Sequence, residues 1–225
     1  MISENLQSVK ERIRKAADKA SRNDRDIKLI CVTKTATIQQ IEEALAAGVT
    51  EIGESYVQDA EVKFKSIEFR ANWHLIGHLQ TNKVKEAVRI FDFIHSVDSL
   101  KLAEEISKRS AGQRDLKRIL IEVKTSEEAA KFGVLPEHTL PLLEKISELP
   151  NVRVMGLMTI APLSENPENS RPYFQRLKKL SLLMSVKRIK NVSMEYLSMG
   201  MSQDFEVAID EGANMLRIGR AIFGE

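Results

Sequence analysis

LSMGMSQDFEVAIDEGANMLRIGRAIFG, Leu197 to Gly224, places two glycine turns, each opening a helix, after consecutive apolar strands. In the first turn Gly200 allows a ligand to approach the backbone closely, and Ser202 stands where a helix N-cap would offer a hydroxyl beside orphan N–H donors. Gly219 and Arg220 repeat the arrangement after the short strand 215–218. Either turn alone reads equally well as an ordinary strand-to-helix connection. The two in succession match the phosphate site that follows strands seven and eight of a (β/α)8 barrel.

Working back from that segment, short runs rich in β-branched residues recur at 27–33, 51–53, 73–77, 91–97, 118–123, 152–160 and 192–198, which with 215–218 makes eight strands. Helical patterns fill the gaps. One spans 38–47, opened by Thr37 with Gln40 in a capping box and closed by Gly48; another spans 100–109. Leu6, Val9, Ile13, Ala16 and Ala17 have helical spacing and predict an amphipathic helix ahead of the first strand. The expected fold is therefore α/β, a (β/α)8 TIM barrel with an extra N-terminal helix, as a single domain over 1–225. A doubly wound open sheet is the alternative. Against it, no G-x-G-x-x-G follows the first strand, and the phosphate-type turns come last.

The balance of 43% hydrophobic and 29% charged residues suits a soluble globular chain. Basic and acidic residues, 34 against 32, are spread along the sequence, which argues against a nucleic-acid footprint. Lys187, Arg188 and Lys190 read as a solvated helix end. Cys31 is the only cysteine, so no intramolecular disulfide is available; within an apolar strand it reads as a buried, inert thiol in a reducing cytoplasm. The N-terminus lacks a signal-peptide core, and no segment reads as a membrane span. The polar stretch from Pro162 to Pro172 reads as either a lid over the barrel mouth or a plain surface loop.

In ICVTKTAT, Ile30 to Thr37, the apolar run stops at Lys34, at the C-terminal end of the first strand, where barrels hold their chemistry. A lysine there is by itself an ordinary solvated strand end. Closure makes the first and eighth strands neighbours, so Lys34 is expected beside Arg217 and the Gly219 turn. That combination fits a ligand carrying both a phosphate and an electrophile, and an aldehyde would give a Schiff base.

These residues resemble the pyridoxal phosphate homeostasis proteins, whose barrel is similar to the N-terminal domain of alanine racemase. The resemblance rests on VTKT around Lys34, IGESYVQ from Ile52, WHLIGHLQTNK from Trp73, GLM from Gly156 and the closing segment. It implies pyridoxal 5'-phosphate (PLP) carried on Lys34 as an internal aldimine, with Ser202, Gly219 and Arg220 around the phosphate and Arg217 facing the pyridine nitrogen. Ser55, His74 and Met158 complete the expected cofactor-binding set. Ser55 stands where an asparagine is common, and Thr37 and Lys124 also depart from the family pattern. His74 reads either as a donor near the cofactor or as a satisfied polar residue. Trp73 reads as a core-edge anchor and Tyr56 as a helix-packing residue. The four histidines lack metal-ligand spacing, so no metal is expected.

An arginine only donates, so a ring nitrogen facing Arg217 must accept, which leaves a weaker electron sink than a pyridinium. Racemases of this barrel type tolerate that arrangement, so Arg217 does not exclude catalysis; an ion pair to the barrel wall is the other reading of Arg217. The sequence ends directly after the eighth unit, and no second domain is expected. The function expected is a monomeric PLP-binding protein of intracellular PLP homeostasis, without substantial turnover and with PLP-dependent apoenzymes as partners. The alternatives are a racemase-like PLP enzyme and a cofactor-free Schiff-base aldolase.

Overall fold

In the computed structural model of the chain, which describes residues 1–127 and 132–224, eight parallel strands close into a barrel in sequence order. They are β1 (Lys28–Val32), β2 (Glu51–Glu54), β3 (Asn72–Leu75), β4 (Phe93–Val97), β5 (Lys117–Glu122), β6 (Val152–Met158), β7 (Val192–Ser198) and β8 (Met215–Ile218). The helices around them are α1 (Ile2–Lys19), α2 (Ile38–Ala46), α3 (Val57–Ile67), α4 (Val84–Ile90), α5 (Leu100–Arg109), α6 (Thr139–Ser147), α7 (Arg171–Ser185), α8 (Phe205–Asp210) and α9 (Arg220–Phe223). Strands and helices fall where the periodicity puts them, with small differences at the mouth. There β1 ends at Val32, β3 at Leu75 and β6 at Met158, each one or two residues short of the expected span.

Local chemistry accounts for the helix starts and for the outer packing. The capping box of α2 forms in full: Gln40 N donates to the Thr37 hydroxyl at 3.2 Å, and Thr37 N donates to Gln40 Oε1 at 2.9 Å. On α1 the stripe Leu6, Val9, Ile13 and Ala17 is buried, and the helix packs on α8, α9 and α2. Because α8 and α9 are short, α1 supplies apolar cover that they cannot. Two specific contacts set its register: Asn5 Nδ2 donates to the Ile222 carbonyl at 3.0 Å, and Arg12 forms a bidentate pair with Glu206 at 2.9 and 3.0 Å.

Two apolar clusters divide the molecule. The larger lies between strands and helices, and the smaller fills the barrel with Ile30, Phe93, Leu120, Met155, Met158 and Met215. Met155 and Met158 both face inward although strict alternation forbids it. The register of β6 against β5 and β7 shifts between Val154 and Gly156, and at Gly156 φ is +154° and an added Cβ would lie 1.9 Å from the Tyr196 carbonyl oxygen. The stretch 162–172 is anchored at its far end, where it runs into α7. Ser170 Oγ donates to Asp204 at 2.9 Å, and Arg171 grips Asp210 at 2.6 Å and Glu211. Among the described residues, no helix is long and apolar enough to cross a membrane.

Candidate cofactor site at the barrel mouth

The two glycine turns come together at the C-terminal ends of β7 and β8. Gly200 has φ +93°, and a Cβ there would meet the Ala208 Cβ at 2.6 Å, so the missing side chain is what lets α8 fold back against its strand. Ser202 does not cap α8 as the local pattern predicts. The N-cap of α8 is Asp204, whose Oδ1 takes the Met201 N–H at 2.7 Å. The Ser202 hydroxyl instead accepts the Ala221 N–H at 3.3 Å, from the first turn of α9, and so links the first glycine turn to the second. Gly219 caps α9 and presses on the end of β1: a Cβ would lie 2.9 Å from the Val32 carbonyl oxygen.

Lys34 is exposed in the turn that leaves β1, closed by the Ala36 N–H donating to the Thr33 carbonyl at 2.9 Å. That turn is clamped from behind. The Thr33 hydroxyl donates to Glu54 at 2.5 Å, and the Lys63 ammonium reaches the Thr33 carbonyl at 2.6 Å and Glu54 at 2.8 Å. At the barrel seam the Gly219 turn thus presses on Val32, which ends β1 just before the turn that bears Lys34. Arg217 is not level with Lys34, because strand register pairs it with Ile30, deeper in the barrel.

Arg217 is buried on the inner face, and its guanidinium donates to Ser198 Oγ at 2.6 Å and to the Thr159 carbonyl at 2.8 Å. Those contacts are neutral, so the ion-pair reading of Arg217 fails among the described residues. Burial lowers its pKa to about 10, against the opposing charges of Asp204 and Glu122, and it stays a cation at neutral pH. Glu122 ends β5 at the same mouth. Burial, reinforced by Asp98 and opposed by Arg217, raises its carboxyl to about 7.

The expected contacts divide as follows. Ser55 directly follows β2 at the mouth, half-buried, and Met158 ends β6 fully buried in the inner apolar cluster. Ser202 is half-buried and Arg220 exposed beside the Gly219 turn. Of its two readings, His74 takes that of a satisfied polar residue: it is buried, with Nε2 2.8 Å from Glu51 and Nδ1 2.9 Å from His95, so both ring nitrogens are spent on the protein. Tyr56 is a correction, being 64% exposed at the N-cap of α3 with little to pack on. Trp73 is buried against Phe64, with its indole N–H on the Glu68 carbonyl. The sequence reading missed Glu51, His95, Thr159, Ser198 and Glu122; the inward parity of Ser198 with Tyr196 and of His95 with Phe93 was the available signal.

The family described as alanine racemase, N-terminal domain, matches residues 5–225. The pyridoxal phosphate homeostasis protein of Aquifex aeolicus is 45% identical over 99% of this chain and 97% of its own length, and that of Pseudomonas aeruginosa is 40% identical over 99% and 95%. PipY of Synechococcus elongatus, solved with PLP bound, superposes with a TM-score of 0.87 at 32% identity, covering the whole of both chains. The chain belongs to the pyridoxal phosphate homeostasis protein family, built on the barrel of the alanine racemase N-terminal domain. An alanine racemase from Clostridium difficile shares that barrel at a TM-score of 0.76 and 14% identity, with this chain spanning 57% of it.

The residues present fit PLP. Its phosphate needs the hydroxyl and helix-start N–H donors that converge at Ser202 and Gly219, and its aldehyde needs an accessible amine, which Lys34 supplies. Its ring nitrogen needs a fixed partner. Arg217, a buried cation held by neutral acceptors, is such a group.

Proposed function

We propose that this protein binds PLP through a Schiff base at Lys34 Nζ and serves PLP homeostasis, releasing the cofactor to PLP-dependent apoenzymes. Bound PLP supplies a reversible aldehyde. Ser202, Gly219 and Arg220 hold the phosphate, Met158 and Ser55 border the ring, and Arg217 donates to the ring nitrogen. The observation that carries the reading is the seam itself: Gly219 packs on Val32, which sets the phosphate turn against the turn bearing Lys34. We take the working unit to be one barrel domain over 1–225, a monomer in the cytoplasm. Its buried Cys31, whose thiol burial pushes up to about 12, supports no redox role.

Borohydride reduction of the PLP-loaded protein followed by peptide mapping tests this directly. The reduced pyridoxyl mass is expected on Lys34, and its appearance on another lysine overturns the assignment. Glu122 favours a second reading as a racemase-like enzyme, because a carboxyl titrating near 7 at the mouth is suited to moving a proton. Loss of α-deuterium from amino acids, abolished by Glu122→Gln, would establish that reading in place of a carrier role.

A further inference from the structure

A buried line of side chains runs up the barrel interior. Lys28, partly exposed at the N-terminal end, donates to Glu51 at 3.0 Å. The other Glu51 oxygen lies 2.8 Å from His74 Nε2, His74 Nδ1 lies 2.9 Å from His95 Nε2, and His95 Nδ1 lies 2.9 Å from Ser198 Oγ. Ser198 then accepts from Arg217 at 2.6 Å. All five groups from Glu51 to Arg217 are buried. The rest of the interior is Ile30, Phe93, Leu120 and methionines, so an apolar filling was available and the polar line is not needed to occupy space.

The line permits only one consistent placement of protons. Burial depresses the pKa of both imidazoles, strongly for His95, so both rings are neutral and each has one donor and one acceptor nitrogen. Burial opposes ionisation of Glu51, but its bonds to His74 and Lys28 outweigh that and keep it an anion that only accepts. His74 therefore carries its proton on Nε2 and accepts at Nδ1. His95 must then carry its proton on Nε2 and accept at Nδ1, which obliges the Ser198 hydroxyl to donate to His95. Ser198 is left with lone pairs alone for Arg217, and every donor in the line points toward Glu51.

We propose that Glu51, His74, His95 and Ser198 form a positioning column for Arg217, in which one carboxylate at the far end of the barrel fixes the direction of the hydrogen bonds up to the Ser198 hydroxyl. The column holds Arg217 in one orientation beneath the phosphate turns. This rests on the placement of the PLP ring nitrogen at Arg217. His74, the first histidine of the WHLIGHLQTNK motif, is then a remote support of the site, and its spent nitrogens are the means by which it acts. In Glu51→Gln the amide can donate as well as accept, both directions become possible, and the Ser198 O–H is no longer committed to His95, although its oxygen still accepts from Arg217.

Nitrogen-15 histidine spectra of the cofactor-free protein test the column without the cofactor; the relative PipY is likewise known without PLP. Both His74 and His95 are expected as Nε2–H tautomers, and the His95 ring signals are expected to change in Glu51→Gln although the two residues do not touch. In PLP-loaded protein, Glu51→Gln and Ser198→Ala are each expected to move the visible band and to quicken PLP release about fivefold, less than the full loss of a charge-assisted hydrogen bond. An Nδ1–H tautomer at either ring overturns the proposal, as does a His95 signal indifferent to Glu51→Gln. So does a band and release rate unmoved in both variants. A visible band that survives Lys34→Ala overturns the underlying placement of PLP instead, and the tautomer result then stands by itself.

Discussion

At the N-terminal end of the barrel interior Lys28, Glu51, His74 and His95 are hydrogen-bonded to one another, whereas at the mouth Lys34 and Arg220 are exposed and Ser202 holds a single backbone N–H. Both regions are rich in polar side chains, and residue type alone does not tell them apart. A closed polar network stabilises and orients what it contains, while donors that converge on a glycine cradle are available to a ligand. On the proposed reading, the lower interior acts as support and the mouth as the binding surface. Arg217 joins them, anchored below by Ser198 and lying beneath the phosphate turns.

The largest expected effect that would break this division is at Lys34. Lys34→Ala is expected to abolish the visible absorbance of PLP-incubated protein while leaving the thermal midpoint unchanged, because the side chain is exposed and packs on nothing in the core. A retained band would place the binding group elsewhere. Gly200→Ala comes next. A Cβ 2.6 Å from Ala208, at a backbone φ of +93°, must push α8 away from its strand. The expected cost is about 2 kcal/mol in urea unfolding. An unaltered midpoint would show that the cradle does not depend on that close approach.

Ser202→Ala sharpens the comparison on a smaller scale. It removes the acceptor for the Ala221 N–H and the proposed phosphate donor, and PLP affinity is expected to fall by about 1 kcal/mol. An unchanged affinity with lowered stability would make the serine a link between turns and nothing more. The remaining test is of pH dependence. Glu122 has its pKa raised from 4.5 to about 7 by burial, then Asp98, against Arg217, so the fold favours its protonated form. Its contribution is fully present below 4.5 and lost as pH rises through about 7. Thermal midpoints of Glu122→Gln are therefore expected to gain on those of the unaltered protein across that window; parallel profiles would show that Glu122 titrates normally.

Much of this was legible in the sequence because it depends on neighbours along the chain. The α2 capping box, the span of α5 and the bounds of β7 and β8 follow from spacing and local hydrogen bonding. Lys34 at the seam was legible too, since closure makes the first and last strands adjacent whatever the packing details. Ser202 was misassigned for the opposite reason: its partner is Ala221, nineteen residues on, and local spacing favoured a cap on α8. The two readings of His74 stayed open because alternation gives the face of a strand and not its height. Strand stagger, with register shifts at β4–β5, β5–β6 and β6–β7, decides which inward side chains meet.

By itself, then, the sequence determined the succession of eight strands and their helices, the glycine turns at the end, and the lysine that closure brings to them, because all of these are set by period and chain order. Tertiary structure decided how the inward polar residues are paired. Glu51, His74, His95, Ser198 and Arg217 come from five different strands, and only the shear of the closed barrel brings their atoms within hydrogen-bond reach.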